Sequence, residues 1–169
     1  MKLIWRPFDQ VGMQRVVQLI NKTNQFNLTT RRYTQADVAA FMNNPAAFTL
    51  QLRLIDMFGD NGIIAIVIGK PVGPNGNDAM IDTWLMSCRV LGRQVEEATL
   101  NLVARQAARL GATALIGEYR PTAKNRMVRD HYAKLGFALV SEASDGTTLW
   151  RRPIGEFAPY DTFIEIEEG

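Results

Sequence analysis

Trp84-Leu85-Met86-Ser87-Cys88-Arg89-Val90-Leu91-Gly92-Arg93-Gln94-Val95-Glu96 is the stretch on which the fold turns. A strand read from Ala79 to Arg89 leaves through a turn that carries Gly92 and enters a helix. That helix is expected over Gln94–Leu110, because Val95, Ala98, Leu102, Val103, Ala107 and Leu110 fall on one broad stripe. Gly111 follows where a helix ends on a left-handed residue. A strand that runs straight into a helix N-terminus leaves free N–H groups and the positive end of the helix dipole, which suits an anion. Arg89 and Arg93 add charge of a kind suited to phosphate. The same pattern also reads as a plain strand-to-helix turn with two solvated arginines, and spacing alone leaves both open.

Upstream, Leu50, Leu52 and Leu54 alternate with Gln51 and Arg53, the period of a half-buried strand. Gly59-Asp60-Asn61-Gly62 reads as a hairpin turn, and Ile63 to Ile68 as a strand covered on both faces. Gly73-Pro74-Asn75-Gly76-Asn77 is a second loop, so three strands form an antiparallel meander. Before them come a short strand at Lys2–Arg6, a helix from an Asp9 cap to Lys22, a polar stretch, and a second helix capped by Thr34 with Val38, Phe41 and Met42 inward. Downstream, Ala112–Tyr119 is a strand and Thr122 caps a helix to Leu135. Phe137–Val140 and Thr147–Arg152 are the last two strands. The order β-α-α-β-β-β-α-β-α-β-β predicts an α+β (mixed α/β) domain.

Composition narrows the classes of function. At 169 residues, with 47% apolar and 21% charged, the chain is one globular domain's worth of sequence. Nineteen basic against seventeen acidic residues give +2, too near balance for a dedicated nucleic-acid binder. No apolar run approaches ~18 residues, so no membrane span is expected. A single cysteine, Cys88, permits no intrachain disulfide and predicts a reducing, cytoplasmic setting. One histidine, His131, with that one cysteine falls short of a zinc site, and no metal is expected.

A second candidate segment is Gly117-Glu118-Tyr119-Arg120-Pro121-Thr122-Ala123-Lys124-Asn125, again a strand end before a capped helix. On that helix Met127, Val128, His131, Tyr132 and Leu135 share one side. His131 and Tyr132 read either as proton donors to a reaction or as packing residues with a satisfied polar tip.

Asn125 followed by Tyr132-Ala133-Lys134-Leu135-Gly136-Phe137 resembles the "N…Y-x-x-x-G-F" segment of the GNAT acyltransferase superfamily, as does the element order. The resemblance implies a GNAT-like acyltransferase fold over 1–155, a largely antiparallel central sheet flanked by helices, with 156–169 a loosely held acidic C-terminal tail. Four blocks, Asn21–Thr34, Phe58–Gly62, Ile81–Arg93 and Gly117–Asn125, resemble the C-terminal domain of FkbH-like proteins. Those proteins usually carry a phosphatase-like domain of the haloacid-dehalogenase superfamily ahead of this one. They are associated with loading a glyceryl unit, derived from 1,3-bisphosphoglycerate, onto an acyl carrier protein for polyketide extender units. The chain lacks the DxDxT aspartate pair of such phosphatases, so it is expected to be an excised domain or a stand-alone relative that does no dephosphorylation itself.

The resemblance implies roles for particular residues. In the GNAT fold the third meander strand lies beside the reacting thioester. Strand alternation puts Cys88 on the face of Asp82, Trp84 and Met86, as a nucleophile that carries the acyl group or as a wall of the thioester channel. An inert buried cysteine is the plain alternative. Tyr132 matches the tyrosine acid many GNAT enzymes keep for the leaving thiolate, and His131 is expected only to support it. Asn24, Gln25, Asn27, Thr29, Arg31 and Arg32 lie in the loop that covers the acceptor side. There the amides and hydroxyls suit a polyol, and the arginines suit a phosphate or an acidic carrier surface; Asp82, Trp84, Lys124 and Asn125 complete the substrate set. Arg89, Val90, Leu91, Gly92, Arg93 and Gln94 are expected to hold the cofactor. GNAT acyl-CoA sites are built on Q/R-x-x-G-x-G/A. From Arg89 the pattern meets Gly92 and then Gln94, and from Leu91 it meets Gln94 and Glu96, so a larger side chain stands at a small-residue position in either register. That departure favours the phosphopantetheine arm of a carrier protein, with its single phosphodiester, over CoA. The leading expectation is therefore glyceryl transfer involving a carrier thiol. Alternatives are a non-catalytic carrier-docking module for the phosphatase-like domain and an N-acetyltransferase using acetyl-CoA.

Overall fold

The computed structural model describes residues Met1–Gly169. Eight strands make one sheet: β1 (Lys2–Arg6), β2 (Phe48–Asp56), β3 (Gly59–Val72), β4 (Asp78–Met86), β5 (Ala114–Tyr119), β6 (Ala138–Glu142), β7 (Thr148–Pro153) and β8 (Glu165–Glu168). The helices are α1 (Met13–Lys22), α2 (Gln35–Asn43), α3 (Val95–Arg109) and the single turn α4 (His131–Lys134). The strand order is β6-β7-β5-β4-β3-β2-β1-β8. Only β4–β5 and β1–β8 are parallel, so the sheet is largely antiparallel, as expected.

β3 separates two cores. Ile66 and Ile68 pack with Met13, Val16 and Ile20 of α1 and Val38 of α2, while Ala65 and Val67 join Leu102 and Val103 of α3 in the larger cluster. The unbroken apolar run Ile63–Ile68 therefore covers both faces, as a strand between two helical layers must. Thr34 caps α2 with a full capping box to Asp37, where the sequence predicts it.

Several local readings shift. The β2–β3 turn is Met57-Phe58, because the Asp56 carboxylate accepts the Phe58 N–H at 2.9 Å and closes the tip. Asn61-Gly62 sits instead in an irregular stretch of the ladder, with Gly62 at φ 70° taking the bulge. Asp9 accepts the Gly12 N–H at 2.7 Å, one turn ahead of a helix that starts at Met13. The expected helix from Thr122 to Leu135 is mostly absent: a 3-10 turn, Arg126–Val128, precedes the short α4. The Thr122 hydroxyl and the Asn125 amide take backbone partners that a helix would need.

The acidic tail is not loose. β8 pairs with β1 from Lys2↔Glu165 to Trp5↔Glu168, and Ile164 enters the large core. Tyr160 exchanges two 2.9 Å hydrogen bonds with the Asn101 side chain of α3. Apolar residues at alternate positions, Ile164 and Ile166, hold an otherwise acidic strand against the sheet.

Close packing across the sheet gives one direct expectation. A Cβ on Gly117 would lie 2.6 Å from the Tyr132 ring. Gly117→Ala should therefore cost about 2 kcal/mol by overpacking, read as an earlier urea midpoint at unchanged slope. A midpoint equal to that of the parent chain would refute this contact.

Candidate functional site

β4 and β5 pair only from Asp78↔Ala114 to Ile81↔Gly117. Beyond Ile81 they part, and the extended segment Phe26–Leu28, from the polar stretch between α1 and α2, fills the gap. The Leu28 N–H donates to the Trp84 carbonyl at 3.1 Å and the Met86 N–H to the Phe26 carbonyl at 3.0 Å, an antiparallel bridge centred on Asn27 and Leu85. On the other side the Arg120 N–H donates to the Leu28 carbonyl at 2.8 Å. Asn125, fully buried, donates to the Asn27 carbonyl at 3.0 Å and to the Arg120 carbonyl at 2.9 Å, and accepts the Thr122 N–H at 2.8 Å. The Asn27 amide bonds the Thr23 carbonyl and the Thr30 N–H. Asn27 and Asn125, read as substrate residues, thus spend their polar atoms holding this inserted strand.

Next to the segment lies an ionic cluster around the buried carboxylates of Asp82 and Glu118. Asp82 of β4 accepts the Tyr33 hydroxyl at 2.6 Å and meets Lys70 Nζ at 3.0 Å. Arg31 donates to the Asp82 carbonyl at 2.9 Å and pairs with Glu118 of β5, and the Thr29 hydroxyl donates to the same Asp82 carbonyl. Burial and the Asp82 carboxylate both push the Tyr33 phenol well up. Arg32 donates to the Ile20 and Thr23 carbonyls and to the Asn24 side chain. Of the two arginines expected to face a phosphate or a carrier, Arg31 is turned inward onto Asp82 and Glu118, while Arg32 stays exposed with its donors taken by acceptors of the chain itself. Glu118, Lys70 and Tyr33 were not in the expected set; Glu118 and Tyr33 lie within the blocks Gly117–Asn125 and Asn21–Thr34, and nothing local in the sequence marks Lys70.

The third meander strand ends at Met86, not Arg89. The Ser87 N–H bonds the Ile64 carbonyl at 2.8 Å, and its hydroxyl accepts the Arg89 N–H at 3.3 Å, starting a 3-10 turn Cys88–Val90. Strand alternation therefore does not place Cys88 on the face of Asp82, Trp84 and Met86. It is exposed, and its thiol donates to Gln25 Oε1 at 3.3 Å.

Cys88 lies in an open groove of about 590 Å³ lined by Gln25, Asn24, Ser87, Arg89, Lys124, Arg15 and Lys22 among others. Four cations and no carboxylate line it. The fold thus brings Asn24, Gln25, Cys88, Arg89 and Lys124 together from the two candidate segments and the polar loop. Arg15 and Lys22 escaped the sequence reading, although Arg15, Leu19 and Lys22 follow the i, i+4, i+7 spacing of one helix face.

The remaining predicted residues fall elsewhere. Leu91, Gly92 and His131 line a second cavity of about 310 Å³ with Phe26, Glu96 and Lys134. Val90 is in the core. Arg93 pairs with Asp56 at 2.8 Å, and Gln94, left-handed at φ 65°, accepts the Phe163 N–H at 2.9 Å. Trp84 and Tyr132 are wholly buried. Burial, then the nearby Glu118, pushes the Tyr132 phenol far up, and its hydroxyl has no partner. His131 stands edge-on to Trp84, 4.3 Å between ring centroids, and burial first, then Lys134, holds its pKa down to about 3. A proton-donor role for this pair finds no support in their surroundings. No three His, Cys, Asp or Glu side chains converge as metal ligands would, and no helix is long and apolar enough to cross a membrane.

A mixed sheet with β4 and β5 parted and α3 leaving the end of β4 is the GNAT fold. Solved structures carry the same fold. The GNAT domain of S. lividans PAT matches at TM-score 0.67 and 20% identity, over 88% of this chain and 89% of that one. Spermidine N-acetyltransferase from Vibrio cholerae, solved with CoA and spermine, matches at TM-score 0.68 and 10% identity, over 92% and 97%. The ribosomal-protein-S18-alanine N-acetyltransferase from Escherichia coli matches at TM-score 0.65 and 15% identity, over 95% and 99%. No protein-family model matches the chain, and no curated protein does.

Proposed function

We propose that this chain is an acyltransferase that moves a small acyl unit, of the glyceryl type derived from 1,3-bisphosphoglycerate, onto the phosphopantetheine thiol of an acyl carrier protein. The observation that carries the reading is the groove: an exposed thiol, Cys88, among Arg15, Lys22, Arg89 and Lys124 with no acid beside them. Four cations suit the phosphodiester of a carrier arm and the acidic surface around it. The Gln25 amide, whose oxygen accepts the Cys88 thiol, offers its N–H groups to a polyol acyl group. In the reaction the Cys88 thiolate attacks the donor's acyl carbonyl, the donor's leaving group departs, and a Cys88 thioester forms. The carrier thiolate then attacks that thioester and releases Cys88.

One observation favours a second reading, a non-catalytic docking module for a phosphatase-like domain. The one hydrogen-bond partner of the Cys88 thiol is a neutral amide, not a base. Mass spectrometry of the intact chain, incubated with a glyceryl-loaded donor and a holo-carrier, separates the two. A glyceryl mass on Cys88, lost in Cys88→Ala, is the expected result; carrier binding without any adduct is the docking result. Arg89→Glu with Lys124→Glu should weaken carrier binding by roughly tenfold or more and flatten its salt dependence, measured by calorimetry at two ionic strengths. Unchanged affinity would sever the groove from the carrier.

A further inference from the structure

We infer that this chain excludes CoA by setting its own groups in both places where the GNAT resemblance puts that cofactor: the Phe26–Leu28 backbone beside β4, and the Glu96 carboxylate at the start of α3. The inference is separable from the acyl-transfer reading, which brings the carrier's arm to Cys88 through the cationic groove, lined by no residue of β5, and not between β4 and β5.

The first place is the edge of β4 beside which a thioester arm would lie. Where β4 leaves β5, its Trp84 carbonyl and Met86 N–H face the gap, and both are already paired with Leu28 and Phe26. An amide-bearing pantetheine arm laid along that edge needs these same two groups. The plug is anchored on the far side as well, through Leu28 to the Arg120 N–H and through Asn27 to the Asn125 amide. Phe26 and Leu28 are both buried in the large core. Entry along β4 therefore requires breaking several buried backbone bonds and exposing two large side chains, with nothing in the arm to replace the side chains.

The second place is the α3 N-terminus. Phosphate binds such a site because free N–H groups and the helix dipole favour an anion. Here the first turn of α3 already carries Glu96 and Glu97. Arg93, which would offset a diphosphate, is held by Asp56. The tail closes the approach from another side, with the Phe163 N–H on the Gln94 side chain. A pyrophosphate brought here meets two carboxylates of like charge and no free arginine at position 93.

Calorimetry with CoA and amide hydrogen exchange on the full chain test this. The expected result is no measurable CoA binding up to about 1 mM, the upper end of the usual enzyme–substrate range. Slow exchange at the Leu28, Met86 and Arg120 amides, unchanged by CoA, is expected beside it. Glu96→Ala with Glu97→Ala, both in the first helical turn, should raise affinity for inorganic pyrophosphate by roughly tenfold or more. Saturable CoA binding by the parent chain overturns the inference. Fast exchange at those three amides overturns the strand half of it, and a folded double variant with no gain for pyrophosphate overturns the charge half. Failure of glyceryl transfer to the carrier bears on none of these readouts.

Discussion

Asn125→Ala lowers the unfolding free energy by about 3 to 4 kcal/mol, measured by urea unfolding of the parent and the variant. The side chain is fully buried and serves three backbone groups, the Asn27 and Arg120 carbonyls and the Thr122 N–H. Removing it leaves each without its partner in a place water does not reach, at a cost of roughly 1 kcal/mol or more apiece. Asn125→Asp should be no better. It keeps an acceptor for Thr122, yet loses both donors and buries a charge. The loss is local as well as global: amide exchange at Leu28 should speed up more than at Val67 in the centre of the sheet, since Asn125 ties down the inserted segment. A loss below about 1 kcal/mol, or equal acceleration at both amides, would show that the segment is held without Asn125.

Acid destabilises the chain through His131. Its pKa is about 3 in the fold, against an ordinary 6.5, chiefly because burial penalises the charged ring. The unfolded chain therefore takes up a proton that the folded chain refuses between those two values. Stability from this group is fully present above pH 6.5 and is lost as pH falls, by roughly 1.4 kcal/mol per pH unit, until near pH 3. At pH 4.5 the loss is about 3 kcal/mol. His131→Phe keeps an aromatic ring beside Phe26 and Trp84 and should remove that slope. Other groups cancel in the difference between the two chains. Glu96, whose pKa burial raises, is present in both, and Asp56, Asp60 and Asp145, all lowered, titrate below their ordinary 3.8. Parallel stability curves for parent and variant from pH 7.5 to 4.5 would sink the assignment.

Both expectations concern residues whose surroundings no local pattern could supply. His131 and Tyr132 sit on the predicted side of their helix, and periodicity says only that this side is covered. Which groups cover it, and whether a polar tip finds a partner, depends on Trp84, Phe26 and Gly117 arriving from elsewhere in the chain. Cys88 shows the opposite failure. The strand was read three residues too far, because the Ser87 hydroxyl accepts the Arg89 N–H and starts a 3-10 turn where alternation would continue. The tail was misjudged on its charge, while its two isoleucines already carried the period of a paired strand.

The order of helices and strands as far as β7, the double coverage of Ile63–Ile68 and the strand-to-helix junction after Trp84 were all legible in the sequence. Each depends on residues two to four positions apart, and side-chain alternation along a strand or around a helix records such spacing directly. The site was decided by the tertiary structure. Arg31 meets Glu118, 87 residues on, and the Asn125 amide meets the Asn27 carbonyl, 98 residues back. The cationic groove joins α1, the polar loop, the end of β4 and the loop after β5. A backbone carbonyl looks the same at every position of a sequence. Only the folded sheet, by parting β4 from β5 and closing Phe26–Leu28 between them, determined which arginines turned inward and which were left to face a ligand.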